Sequence, residues 1–220
     1  MKMTKEAYYD RRGETYEKDC PETLLRCKKA LSWMSLKDRP SIIEVGCKFG
    51  ELYRLLQGTG EQYLYKAVDI DQRTLQGIPG YNKEQFICKN VNNGLPFPDE
   101  SADYIVCLEV MEHLENATFF LEEVKRVLRC DGKLVLSVPN VYCWLEIFNN
   151  LRKYGDTEGH IASYSYQNID ALMNFVGLKI SEQSGTNMRF PLAARLRGRK
   201  LIWKTNMMFL TRNYMFLIGK

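Results

Sequence analysis

Between residues 41 and 140 one pattern recurs: a short apolar run, then a glycine, aspartate or asparagine, then a segment with helical spacing. The runs are SIIEV (41–45), YLYKAVD (63–69), EQFICKN (84–90), ADYIVCLE (102–109) and KLVLSVPN (133–140). Short apolar runs that alternate with helices imply a parallel sheet covered on both faces. The helical segments are ETLLRCKKALSWMS (22–35), ELYRLLQ (51–57), NATFFLEEVKRVLR (116–129) and SYQNIDALMNFVG (165–177). Asn116 stands where an N-cap belongs, CDG (130–132) stops its helix, and Gly177 closes the last one. LKISEQSG (178–185) and NYMFLIGK (213–220) read as late strands, and residues 191–211 between them read as helical and basic. The expected fold is a single α/β domain, Rossmann-like. Its seven-stranded sheet is mostly parallel with an antiparallel edge strand, and helices cover both faces. Residues 1–40 would form an N-terminal helical cap, and residues 141–212 the acceptor-side and basic cover segments.

Ligands of such sheets bind beyond the carboxyl ends of the strands, near the point where strand order reverses. The strand ends are therefore the place to look for chemistry. The first ends in Glu44 and is followed by Gly46-Cys47-Lys48-Phe49-Gly50. That turn is G-x-x-x-G, a poor match to the G-x-G-x-x-G that receives a pyrophosphate. A carboxylate two residues before the first glycine suits a cationic amino group instead. The second ends in Asp69, 19 residues after Gly50, where an acid accepts hydrogen bonds from ribose hydroxyls. The third ends in Asn90, whose amide can read an adenine edge. Lys48 departs from the glycine expected there. A lysine held at positive φ costs about 1–2 kcal/mol. Its side chain is expected to point to solvent, the sharper alternative being an ammonium beside a ligand carboxylate.

Composition narrows the function classes. Seven cysteines, scattered and never spaced C-x-x-C, argue against a disulfide framework and a zinc ribbon. A reducing cytoplasm is the expected compartment. The start, MKMTKEAYYD, lacks the apolar core of a secretory signal. The net charge of +4 hides an asymmetry, because eight lysines and arginines and no acid follow Glu182. The basic, apolar stretch 189–212 reads as a cover helix. Its alternatives are contact with an anionic membrane surface, at which the protein would be peripheral, and contact with RNA.

These residues together resemble the class I S-adenosylmethionine-dependent methyltransferases over residues 40–180. The resemblance rests on IIEVGCKFG, AVDID, NVNNGLPFPDESADYIVCLEVMEHL, VKRVLRCDGKLVLSVPN and GHIASYSYQNIDALMNFVGLKI. Within that superfamily the chain is similar to the group holding ubiquinone-type O-methyltransferases and enzymes of glycan or lipid modification. The resemblance implies S-adenosylmethionine as cofactor. Glu44 and Gly46 would face its methionine part, Cys47 and Gly50 of the same turn would also bind the cofactor, and Asp69 would hold its ribose. Ile70, Asn90 and Val91 would serve the adenine, and Leu108 and Glu109 would lie near the sulfonium. The implied reaction is methyl transfer, with oxygen of a small molecule or a glycan- or lipid-linked intermediate as the expected acceptor.

Removing a proton from a hydroxyl acceptor calls for a base. The two histidines, His113 and His160, are the candidates. Glu109, Glu112 and His113 are spaced E-x-x-E-H, and with His160 they form the alternative, a divalent-metal set. That set resembles metal-assisted RNA 2′-O-methyltransferases, the runner-up reading; the metal-free reading is preferred. A non-catalytic cofactor- or partner-binding protein is the third, suggested only by Lys48. Tyr8, Tyr9, Tyr142, Trp144, Tyr164 and Tyr166 are candidates for an acceptor pocket, against the commoner use of such residues as core.

Overall fold

A computed structural model of the chain describes residues 18–153, 159–189, 202–204 and 210–220. Seven strands form one sheet: β1 (Ser41–Val45), β2 (Leu64–Asp69), β3 (Phe86–Cys88), β4 (Ala102–Leu108), β5 (Leu128–Pro139), β6 (Lys179–Gly185) and β9 (Asn213–Gly219). The order across the sheet is β3-β2-β1-β4-β5-β9-β6. β1 to β5 run parallel, whereas β9 is antiparallel to both β5 and β6. The antiparallel strand therefore lies one place in from the edge. A separate two-stranded ribbon pairs β7 (Asn187–Arg189) with β8 (Ile202–Lys204). The sequence reading of 191–211 as helical fails at Ile202–Lys204, which is extended. Residues 190–201 and 205–209 lie outside the described residues, as do Tyr8 and Tyr9.

The helices are α1 (Pro21–Ser32), α2 (Glu51–Gln57), α3 (Gln72–Gln76), α4 (Ala117–Val127), α5 (Trp144–Leu151) and α6 (Tyr166–Val176). Alternate side chains of β1 explain the two layers. Ile43 and Val45 pack with Phe120, Leu121 and Val124 of α4 and Ile169 and Met173 of α6. Ile42 packs on the other face with Cys27 and Ala30 of α1, Leu52 and Leu56 of α2 and Leu75 of α3. Local chemistry sets the ends of the helices. Asn116 Oδ1 accepts from Phe119 N, and Ser165 forms a capping box with Asn168. Gly177 closes α6 at φ +72°.

The LPFPD stretch owes its shape to α4. Arg126 donates to the carbonyls of Leu95 and Phe97, and pairs with Asp99 at 2.6 Å and Glu123 at 2.7 Å. All seven cysteines are free thiols. No helix among the described residues is long and apolar enough to cross a membrane.

Candidate active site

Strand order reverses between β1 and β4, and a cavity of about 190 Å³ opens beyond their carboxyl ends. Two unusual backbone positions shape it. Gly46 has φ +76°, and a Cβ there would meet Val110 Cγ2 at 2.3 Å. A glycine is thus needed for the β1–α2 turn to reach the chain that leaves β4. Glu109, at the end of β4, has φ +57°. Strain of this kind in a non-glycine residue persists only where its surroundings hold it. Here Glu109 N donates to the carbonyl and hydroxyl oxygens of Ser137. Its carboxylate accepts from Ser137 Oγ at 2.8 Å and from Asn213 Nδ2 at 2.5 Å.

Nine of the ten residues assigned to the cofactor from the sequence line this cavity. Gly50 does not; it caps α2 at φ +70°. Glu44 is 5% exposed and accepts a hydrogen bond from the Tyr65 hydroxyl. Burial pushes its carboxyl from the ordinary 4.5 up to about 8, and nearby Glu51 and Asp69 add to the rise. Asp69 accepts from Lys48 N at 2.8 Å and from Asp71 N at 3.1 Å, one on each oxygen. Each oxygen retains a lone pair for a ribose hydroxyl. Burial also raises the Asp69 carboxyl, and those two amides offset only part of the rise. Asn90 lines the cavity and uses its Oδ1 to cap the short 3-10 turn Val91–Asn93 through Asn92 N.

Lys48 adopts φ +39°, the left-handed backbone expected for that position. Its ammonium lies 5.6 Å from the Phe49 ring centroid, and its charge is felt by Asp69 and Asp71. It therefore belongs to the ribose side of the cavity. The cavity also includes residues that sequence reasoning missed: Thr23, Arg26 and Cys27 of α1, together with Lys89. The apolar periodicity of α1 was readable, but not which of its polar residues would face a cavity built mainly by the strand ends.

The two histidines come together at the cavity margin. Met111–His113 form a 3-10 turn after β4. The backbone of Ile161 and Ala162 donates to the Glu112 carbonyl, at 3.0 and 3.1 Å, and this docks the His160 segment on that turn. The imidazole centroids are 4.9 Å apart. The fully buried Glu112 places Oε1 3.9 Å from Nε2 of each ring. His113 Nδ1 lies 3.2 Å from the Gly159 carbonyl oxygen. A ring nitrogen facing a carbonyl carries the proton, so Nε2 of His113 is left as the acceptor. His113 lines the cavity. The ligand atoms of Glu112, His113 and His160 lie within 4.8 Å of one another. Glu109 does not join them, because its carboxylate is taken by Ser137 and Asn213. Of the proposed aromatic set, Tyr142, Trp144, Tyr164 and Tyr166 do not line this cavity, and Tyr8 and Tyr9 lie outside the described residues. Tyr164 is in the core, its hydroxyl 3.5 Å from the Met111 carbonyl, and Tyr142 and Tyr166 are surface-exposed.

These features fit the cofactor implied by the sequence. The cavity joins a buried acid suited to an ammonium, a second acid suited to a ribose, and apolar walls from Ile70, Val91 and Leu108 suited to an adenosine. Known proteins bear on the same point. A family described as a methyltransferase domain matches residues 14–183. An uncharacterised protein of Methanocaldococcus jannaschii is 34% identical over 113 residues, 50% of this chain and 47% of that protein. A probable S-adenosylmethionine-dependent methyltransferase of Mycobacterium tuberculosis is 34% identical over 100 residues, 45% of this chain and 35% of that one. The chain thus spans about half, or less, of the length of these curated relatives. Among solved structures, an S-adenosylmethionine-dependent methyltransferase of Archaeoglobus fulgidus shares the fold. Its TM-score is 0.71 at 14% identity, over 97% of this chain and 100% of that one.

Proposed function

Since this chain belongs to the methyltransferase-domain family, with S-adenosylmethionine as its cofactor, we propose that it methylates a hydroxyl oxygen. The acceptor class is a small molecule or a glycan- or lipid-linked intermediate. When bound, the cofactor supplies an electrophilic methyl group on a sulfonium. The protein must then align a nucleophile and take its proton. Asp69 would hold the ribose, and Glu44 the cationic amino group. Glu109, fixed at the end of β4, would shape the wall near the sulfonium.

The observation that carries the hydroxyl assignment is the imidazole pair beside Glu112. His113 Nε2 is the acceptor nitrogen of its tautomer, and Glu112 beside it favours the imidazolium that forms once a proton is taken. His160, on the same carboxylate, would pass that proton outward. The test is a methyl-transfer assay over a library of phenols, sugar alcohols and lipid-linked glycans, read by mass spectrometry. The reading predicts a product that gains one methyl group on oxygen, and loss of turnover in His113→Gln with cofactor binding retained. Transfer only to amines or carbon acids would refute it.

A second reading is favoured by the same cluster. Two imidazoles and a carboxylate within 4.8 Å of one another could hold a divalent ion, which would lower the pKa of the acceptor hydroxyl. It would use three protein ligands, because Glu109 is committed elsewhere. Chelation separates the readings. Metal-free catalysis persists in chelator, whereas metal-assisted catalysis stops and returns with Mg²⁺ or Mn²⁺ while cofactor stays bound.

A further inference from the structure

We infer that α5 is an interfacial anchor that seats the protein on an anionic lipid surface, with the cavity end of the sheet towards the bilayer. The inference goes beyond the acceptor reading above, because it concerns where the protein works and is tested without any acceptor. α5 is amphipathic and lies on the outside of the fold. Trp144, Ile147, Phe148 and Leu151 follow the i, i+3, i+4, i+7 spacing of one helix face, and Glu146, Asn149 and Asn150 take the opposite one. None of its residues is buried; Phe148 is 43% and Leu151 78% exposed. Tyr142 before the helix and Ile161 beyond it are exposed as well. Large apolar side chains gathered on one open face mark a contact surface rather than a core. Eight residues are too few to cross a bilayer, so such a helix lies in the interface plane.

Charge selects the occupant. Arg152 caps the helix and lays its guanidinium 4.2 Å from the Phe148 ring centroid, and the exposed Lys153 follows. Cations at the rim of an apolar stripe suit phosphate headgroups above acyl chains. The root of α5 adds more. Asn140 donates from its backbone N to the Arg212 carbonyl and from Nδ2 to the Thr211 carbonyl, each at 2.7 Å, and Arg212 N donates to the Asn187 carbonyl at 2.9 Å. The chain from Asn187 to Arg212 therefore leaves and returns beside that root, and it carries seven lysines and arginines and no acid. Each such cation near an anionic leaflet adds attraction. RNA would answer the charge but not the stripe, and a second copy would answer the stripe but bring like charge against like. β5 delivers α5 beyond its carboxyl end, the end at which the cavity opens, so a bilayer under α5 lies on the acceptor side.

The test is flotation of the full chain with vesicles of phosphatidylcholine, with and without phosphatidylglycerol, over a salt series. Wild type should bind the phosphatidylglycerol vesicles at least about tenfold better than the neutral ones, and salt should weaken that binding. The double variant Phe148→Ser, Leu151→Ser should lose about tenfold or more of it. Its stability in urea should match wild type, since neither side chain is buried. Failure of wild type to bind the anionic vesicles overturns the inference, and so does equal binding by the double variant. A loss of stability in the double variant with no vesicle present also overturns it, because the protein itself or a second copy would then cover this face. Binding to single-stranded RNA that the double variant keeps, with no binding to vesicles, overturns it in favour of nucleic acid.

Discussion

Replacing Glu44 with glutamine should make the cofactor-free domain more stable at pH 8 and flatten its dependence on pH. Glu44 is buried beside Tyr65, Glu51 and Asp69, and holds its proton up to about pH 8 instead of the ordinary 4.5. In the unfolded chain the carboxyl ionises near its ordinary value. Across the interval between the two, the folded state binds a proton that the unfolded state has released. Stability from this group is therefore greatest at acid pH and falls as pH rises towards 8. At about 1.4 kcal/mol per pH unit, the wild type should lose on the order of 3 kcal/mol between pH 5 and pH 8 through Glu44. Glutamine keeps an acceptor for the Tyr65 hydroxyl and cannot ionise. Urea unfolding followed by tryptophan fluorescence, at half-unit steps from pH 5 to 8.5, gives both curves. The gap between variant and wild type should widen by about that 3 kcal/mol across the range. Parallel curves would refute the reasoning, because Glu44 would then ionise alike in both states.

Other perturbations probe neighbouring parts of the site. Asp69→Ala should weaken S-adenosylhomocysteine binding by about 10- to 100-fold in calorimetry, through two lost charge-assisted hydrogen bonds, and unchanged affinity would sink the ribose assignment. Lys48→Gly should keep or improve that affinity, since glycine adopts φ +39° without strain; a tenfold loss would place the ammonium in contact with the ligand. Gly46→Ala should destabilise the fold by about 2 kcal/mol or more in chemical denaturation, and Val110→Ala should recover part of the loss. That recovery tests the 2.3 Å approach to Val110 directly.

The strands and their ends were legible because each apolar run stops at a residue that breaks a strand or caps a helix. SIIEV was read as 41–45 and is β1 at those residues, and Asn116 opens one helix and Gly177 closes another as expected. The place of β9 was less readable. Its run NYMFLIGK says strand, but apolar periodicity carries no information about which neighbours it pairs with. α5 was missed although Trp144, Ile147, Phe148 and Leu151 recur at helical spacing; that stripe buries nothing in the core, and Ile147, Phe148 and Leu151 stay exposed. Ile202–Lys204 misled in the opposite way, because a basic segment with spaced apolar residues reads equally as helix or ribbon. In the site, the acids and glycines of the strand ends were found by position. Arg26 and Thr23 were not, because the facing of a helix is decided by packing against strands far away in sequence. The convergence of His160 on His113 depends likewise on the docking of residues 161–162 against Glu112.

The place of β9 has a consequence for the order of assembly during synthesis. β6 pairs with no other strand of the main sheet, and β5 has β9 as its partner on that side. Until residues 213–219 have left the ribosome, β6 has nowhere to dock and β5 shows an open edge. Such an edge is a site for wrong pairing with other chains. The same late strand carries Asn213, which holds the Glu109 carboxylate in place. A nascent chain that has made all its strand-end motifs would still lack the brace for the bend at the end of β4. The cavity should become competent only when β9 slots in, so folding of this sheet and ligand binding would begin together once that strand is available.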